Sequence, residues 1–83
     1  MTVKHAFEQI ERSQILSDAM YNIAFENPDG RYDEVQFDIY GAKGPEEAAE
    51  ELSDLFADFC TENGFQNDSV IDIYYAGPID ESD

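Results

Sequence analysis

The sequence predicts a single small α+β domain of order α-β-β-α-β, a three-stranded antiparallel sheet with two helices on one face. Three observations predict it. An apolar stripe at helical spacing runs from Ala48 to Cys60, between Pro45 and Gly64. Three segments, 19–26, 32–40 and 69–76, switch to a period of two. A turn tetrapeptide, Asn27-Pro28-Asp29-Gly30, joins the first two of them. Alternation this clean belongs to an antiparallel sheet with one packed and one solvated face. The 83 residues suffice for one core, expected over residues 1–78, with an acidic, mobile tail over 79–83.

The elements follow in order. Residues 2–13 place Val3, Phe7 and Ile10 at i, i+4, i+7 with Ala6 beside them, a short amphipathic helix with Thr2 as its N-cap. Its outer side mixes Lys4, Glu8, Glu11 and Arg12, and Glu8–Arg12 is an ordinary i,i+4 ion pair. His5, the single histidine, reads as a surface residue of this helix with no Ser or Cys to serve. A connector, 14–18, brings Ile15 and Leu16 to the edge of the core. The first strand then alternates Tyr21, Ile23 and Phe25 with Asn22, Ala24 and Glu26. After a type I turn in which Gly30 is free to turn left-handed, the second strand sets Val35, Phe37 and Ile39 against Glu34, Gln36, Asp38 and Tyr40.

Pro45 suits the first position of a helix, where the missing N–H has no intrahelical partner, and Gly64 suits the residue just past its end. Ala48, Leu52, Leu55, Phe56, Phe59 and Cys60 form its buried face. Phe65 is expected to fold under the helix end, before a polar turn at Gln66-Asn67-Asp68. The third strand is read with Ile71, Ile73 and Tyr75 inward and Val70, Asp72 and Tyr74 outward, ending at Gly77-Pro78. The expected strand order is β2-β1-β3.

Charge dominates the composition: 20 Asp and Glu against 4 Lys and Arg, a net charge of −16. All four bases lie in the first 43 residues, and residues 44–83 hold 12 acids and no base. Such a chain is not built to bind nucleic acid or an anionic membrane directly, because neutralising phosphate requires Lys and Arg. It attracts a strongly basic partner, with fast and salt-sensitive association. The single cysteine excludes an internal disulfide and a Cys-based zinc site. Cys60 lies beside Phe56 and Phe59 on the apolar face, with acids rather than bases around it, and reads as a small buried hydrophobe. No apolar signal-peptide core or membrane-length run is present, and the expected location is the cytoplasm.

The second helix carries the most unusual pattern. Glu46, Glu50, Asp54, Asp58 and Glu62 stand at strict i+4 spacing, with Glu47 and Glu51 beginning a second row, and the helix holds no Lys or Arg. Like charges at that spacing repel, and the four steps cost roughly 1–2 kcal/mol. The helix dipole offsets this at Glu46, Glu47 and Glu50 but opposes Asp58 and Glu62. Each step rises about 6 Å, comparable to the spacing of phosphates along one nucleic-acid strand. The row therefore reads either as an imitation of a phosphate backbone or as the solvated face of a protein that happens to be acidic. The mixed charges of the first helix argue against uniform acidity. The open sheet face is expected to show Glu26, Glu34, Asp38 and Asp72 with Tyr40 and Tyr74 among them, either as a protein interface, where tyrosine is enriched, or with the tyrosines as edge aromatics that cover a small sheet.

Enzymatic readings fail. No acid pair stands out from so many, and no phosphate loop, dinucleotide fingerprint or nucleophile elbow is present. A calcium loop ending its turn at Gly30 would need an acid where Phe25 stands and a bidentate Glu where Gln36 stands. No cofactor or metal is expected. In size, charge and lack of a catalytic motif the whole chain resembles small phage- or plasmid-encoded counter-defence inhibitors. These include anti-CRISPR proteins, anti-restriction DNA mimics and uracil-DNA glycosylase inhibitors. The resemblance implies a protein that blocks the basic nucleic-acid-binding surface of a target, a CRISPR effector complex being the preferred one. The alternatives are an immunity protein or antitoxin for a basic nuclease, and an acidic domain adapted to high salt.

Overall fold

The computed structural model describes residues 1–10, 18–66 and 69–79. Its elements are α1 (Val3–Phe7), β1 (Ala19–Glu26), β2 (Tyr32–Ile39), α2 (Pro45–Asn63) and β3 (Val70–Pro78). The strands form one antiparallel sheet of order β2-β1-β3, as the sequence predicts. Both helices pack on the same face. Val3, Ala6 and Phe7 of α1 and Ala48, Leu52, Phe56 and Cys60 of α2 share one core with Tyr21, Ile23, Phe25, Ile39, Val70 and Ile73 of the strands.

The Thr2 cap forms as expected: its Oγ1 accepts from the His5 N–H at 3.3 Å. The first helix is shorter than its apolar spacing suggests. Past Phe7 the N–H groups of Gln9 and Ile10 reach back three residues, to Ala6 and Phe7, a tightening that closes the helix. The expected Glu8–Arg12 pair and the Ile15 and Leu16 plugs lie outside the described residues. At the β1–β2 turn Gly30 donates its N–H to the Asn27 carbonyl at 3.0 Å and takes φ +87°. β1 pairs with β2 in a register of Ile23 with Val35 and Ala24 with Glu34, which confirms the two-faced reading of both strands.

α2 starts and stops where Pro45 and Gly64 place it. Gly64 sits at φ +74° and its N–H reaches the Cys60 carbonyl. A Cβ there would meet no atom within 4 Å, so the cost of a side chain is backbone strain alone. Gly64→Ala is expected to destabilise by about 1 kcal/mol, lowering the thermal midpoint by roughly 4–8 °C. A thermal melt followed by circular dichroism measures it.

β3 departs from the sequence reading. Its register against β1 slips twice, between Ala24 and Phe25 and between Met20 and Tyr21. Ala24 faces Asp72 while Phe25 faces Val70, so Ile71 is an extra residue in a β-bulge. The bulge reverses the inward and outward sides at the start of the strand. Val70 is buried and Ile71 is exposed, the opposite of a strict period of two, whereas Ile73 and Tyr75 keep their expected inward side. Gly77 and Pro78 continue the strand instead of ending it, pairing with Met20 and Ala19. At the other end, the Met1 and Val70 main chains exchange hydrogen bonds at 2.9 and 3.1 Å, holding the start of α1 beside β3.

Candidate protein-binding surfaces

The buried stripe of α2, Ala48, Leu52, Phe56 and Cys60, is fixed by aromatic packing. The Phe25 ring of β1 lies 5.6 Å from those of both Phe56 and Phe59 and 5.5 Å from that of Phe65. Phe37 of β2 meets Phe59 at 6.2 Å. These contacts set the rotation of the helix on the sheet. Every member of the acidic row stands two residues, about 200° of rotation, from a buried residue: Glu46 and Glu50 flank Ala48, Asp54 and Asp58 flank Phe56. The row therefore points directly away from the core, and Glu46, Glu50, Asp54, Asp58 and Glu62 are all exposed. From first to last they span about 24 Å of helix.

The second row is less uniform. Glu47 is exposed and Glu51 is half-buried. At the N-terminal end of α2, Glu46 and Glu50 line a shallow groove with Lys4, Glu8 and the apolar Phe7, Ile10, Pro45 and Ala49. Lys4 thus stands near the first two acids of the row, and the remaining three lie outside that groove.

The sheet separates this helix from the second set of candidates. Glu34, Asp38 and Asp72 sit on the uncovered face, opposite Ala24, Met20 and Ala24 respectively in the register. Asp72 is half-buried, and its Oδ1 accepts the Ile73 N–H at 2.8 Å. Tyr74 neighbours Asn22 and is 49% exposed. Tyr40, just past the end of β2, is 54% exposed. The structure accordingly gathers Glu34, Asp72 and Tyr74 into one patch and leaves Asp38 and Tyr40 at the other end of β2, about 13 Å along the strand from Glu34 to Asp38. Helix row and sheet patch occupy opposite faces of a domain with a thinnest extent of 17 Å.

Two exposed residues belong with the sheet patch and were not among the sequence candidates. Tyr32, 72% exposed, faces Glu26 in the register. Its parity with Glu34 was the available signal. Ile71, 41% exposed, reaches this face only through the bulge.

No cluster of three or more His, Cys, Asp or Glu suited to a metal ion occurs among the described residues, and no helix there is long and apolar enough to cross a membrane. Arg31 and Asp29 approach to 3.9 Å at an exposed position, an ion pair worth little. Cys60 is free and buried, and burial pushes its thiol up from the ordinary value. Its Sγ–H points to the Gln66 carbonyl at 3.7 Å. Alkylation by iodoacetamide at neutral pH is therefore expected to run at least about a hundredfold slower in the folded protein than in urea, followed by mass spectrometry. Equal rates would show that Cys60 is accessible.

Comparison with known proteins returns no match to a protein-family model, a curated protein or a solved structure.

Proposed function

We propose that this protein is an acidic inhibitor that binds the basic nucleic-acid-binding surface of a target protein and blocks its access to DNA or RNA. The observation that carries the reading is the α2 row: five carboxylates at one-turn spacing, all exposed and aimed away from the core, on a helix without a single cation. Packing does not require that arrangement, since the buried stripe would be the same with lysines interleaved. Stability opposes it. A positively charged groove shaped to follow a phosphate backbone is the surface it complements. Among such targets the preferred one is an RNA-guided CRISPR effector, whose nucleic-acid channel and DNA-reading Arg and Lys residues offer this complement. The cell compartment is that of the target, the bacterial cytoplasm.

Affinity capture tests the proposal. Immobilised protein is run beside Glu50→Gln/Asp54→Asn/Asp58→Asn in lysates expressing CRISPR effectors. Bound material is eluted with salt and, separately, with competitor DNA. The expected result is one nucleic-acid-binding complex retained by the wild type alone and released by DNA. Broad capture of many basic proteins, equal on both columns, would show that the row is only a solvated surface.

A further inference from the structure

The uncovered sheet face holds a recess of about 590 Å³ lined by Ala24, Glu26, Tyr32, Glu34, Ile71 and Tyr74, with Asp33 at its rim. Its floor is Ala24, whose methyl group leaves open space between Glu34 and Asp72, its neighbours on either side in the register. Its walls are aromatic and aliphatic: Tyr32, Tyr74 and Ile71 are exposed by 72%, 49% and 41%. Ile71 stands there only because the β3 bulge turns it outward. Asp33 is fixed in place by a 2.9 Å hydrogen bond from the Asn27 side chain. Among the described residues no cation or donor engages the carboxylates of Glu26 or Glu34.

We propose that this recess is a docking site for an arginine side chain of a protein partner. Tyrosine faces attract a cation through their π density, and guanidinium, planar and weakly hydrated, stacks on them better than ammonium does. Glu26 and Glu34 supply carboxylates for charge-assisted, bidentate hydrogen bonds to the same group. Ile71 covers the aliphatic stem. Charge selects this occupant over the alternatives. A nucleic-acid strand is repelled by the rim acids, and a second copy would bring two chains of net charge −16 together. The inference shares with the proposed function the premise of a basic partner, but concerns the face opposite the α2 row, so the two fail separately.

The test is an NMR titration of the ¹⁵N-labelled protein with a capped Gly-Arg-Gly peptide and, in parallel, a capped Gly-Lys-Gly peptide. The arginine peptide is expected to give saturable shifts at Ala24, Glu26, Tyr32, Glu34, Ile71 and Tyr74, with the lysine peptide roughly threefold or more weaker. Tyr32→Leu/Tyr74→Leu should remove the response. Glu34→Gln, at an exposed site with no side-chain partner among the described residues, should weaken it while the dispersed spectrum reports an intact fold. Asp54→Lys/Asp58→Lys should leave it in place. Equal response to both peptides, shifts on α2 and not at the recess, or an unchanged response in the tyrosine variant would overturn the assignment.

Discussion

Asp54→Lys/Asp58→Lys is expected to make the protein more stable and to abolish target binding. Three repulsive i,i+4 contacts (Glu50–Asp54, Asp54–Asp58 and Asp58–Glu62) become two attractive ones and one repulsive. At about 0.2–0.5 kcal/mol per pair the net gain is about 1 kcal/mol. The cation introduced by Asp58→Lys also faces the negative end of the helix dipole, which the native Asp58 opposes. Both positions are exposed and neither belongs to the core, so nothing is lost in packing. The thermal midpoint should rise by roughly 4–8 °C. Two positive charges placed mid-row, where a basic groove must approach, should meanwhile reduce retention by the target at least about a hundredfold, measured by surface plasmon resonance. Opposite signs for stability and binding are what distinguish a functional row from a neutral surface. Unchanged binding by the folded variant would move the contact to the sheet face.

Phe25→Ala is expected to have the largest effect on stability. Its ring touches those of Phe56, Phe59 and Phe65, joining the middle strand to α2 and to the segment after it. Truncating a buried phenylalanine costs about 3–5 kcal/mol. An 83-residue domain holds about 4–12 kcal/mol in all, and the self-repulsion of net charge −16 draws on that total. The variant should therefore be largely unfolded at 37 °C, or show a urea midpoint reduced by half or more. A loss below about 1 kcal/mol would mean that the cluster repacks and that α2 is not held by Phe25.

Much of this architecture is legible from local chemistry. Pro45 and Gly64 bracket α2 because one fits the first helical turn and the other the left-handed exit, and the structure uses both. The sheet face of β1 and β2 follows from period two because their register is unbroken. β3 is different. A bulge inserts one residue without changing composition, so alternation cannot reveal it, and Val70 and Ile71, both branched and apolar, fit either side equally. The same bulge creates the wall of the sheet recess, which is why that recess was invisible while the α2 row, a pattern of residue types at fixed spacing, was not. The shorter α1 likewise reflects three-residue hydrogen bonds after Phe7 that apolar spacing does not encode. Which acids share a face is also a tertiary matter. The sequence already separates the acids of the open sheet face from those of α2, but it takes Asp38 and Tyr40 together with Glu34, Asp72 and Tyr74, and the register sets those two at the other end of β2.

Competition between this protein and nucleic acid tests the central claim most directly. A labelled target strand is bound to the captured complex and the protein is titrated in, with fluorescence anisotropy as the readout at several salt concentrations. If the α2 row occupies the nucleic-acid channel, the label is displaced completely, the apparent Kd for nucleic acid rises in proportion to the protein added, and the Asp54→Lys/Asp58→Lys variant displaces nothing. A ternary complex, with protein and nucleic acid bound together at saturation, would contradict phosphate mimicry.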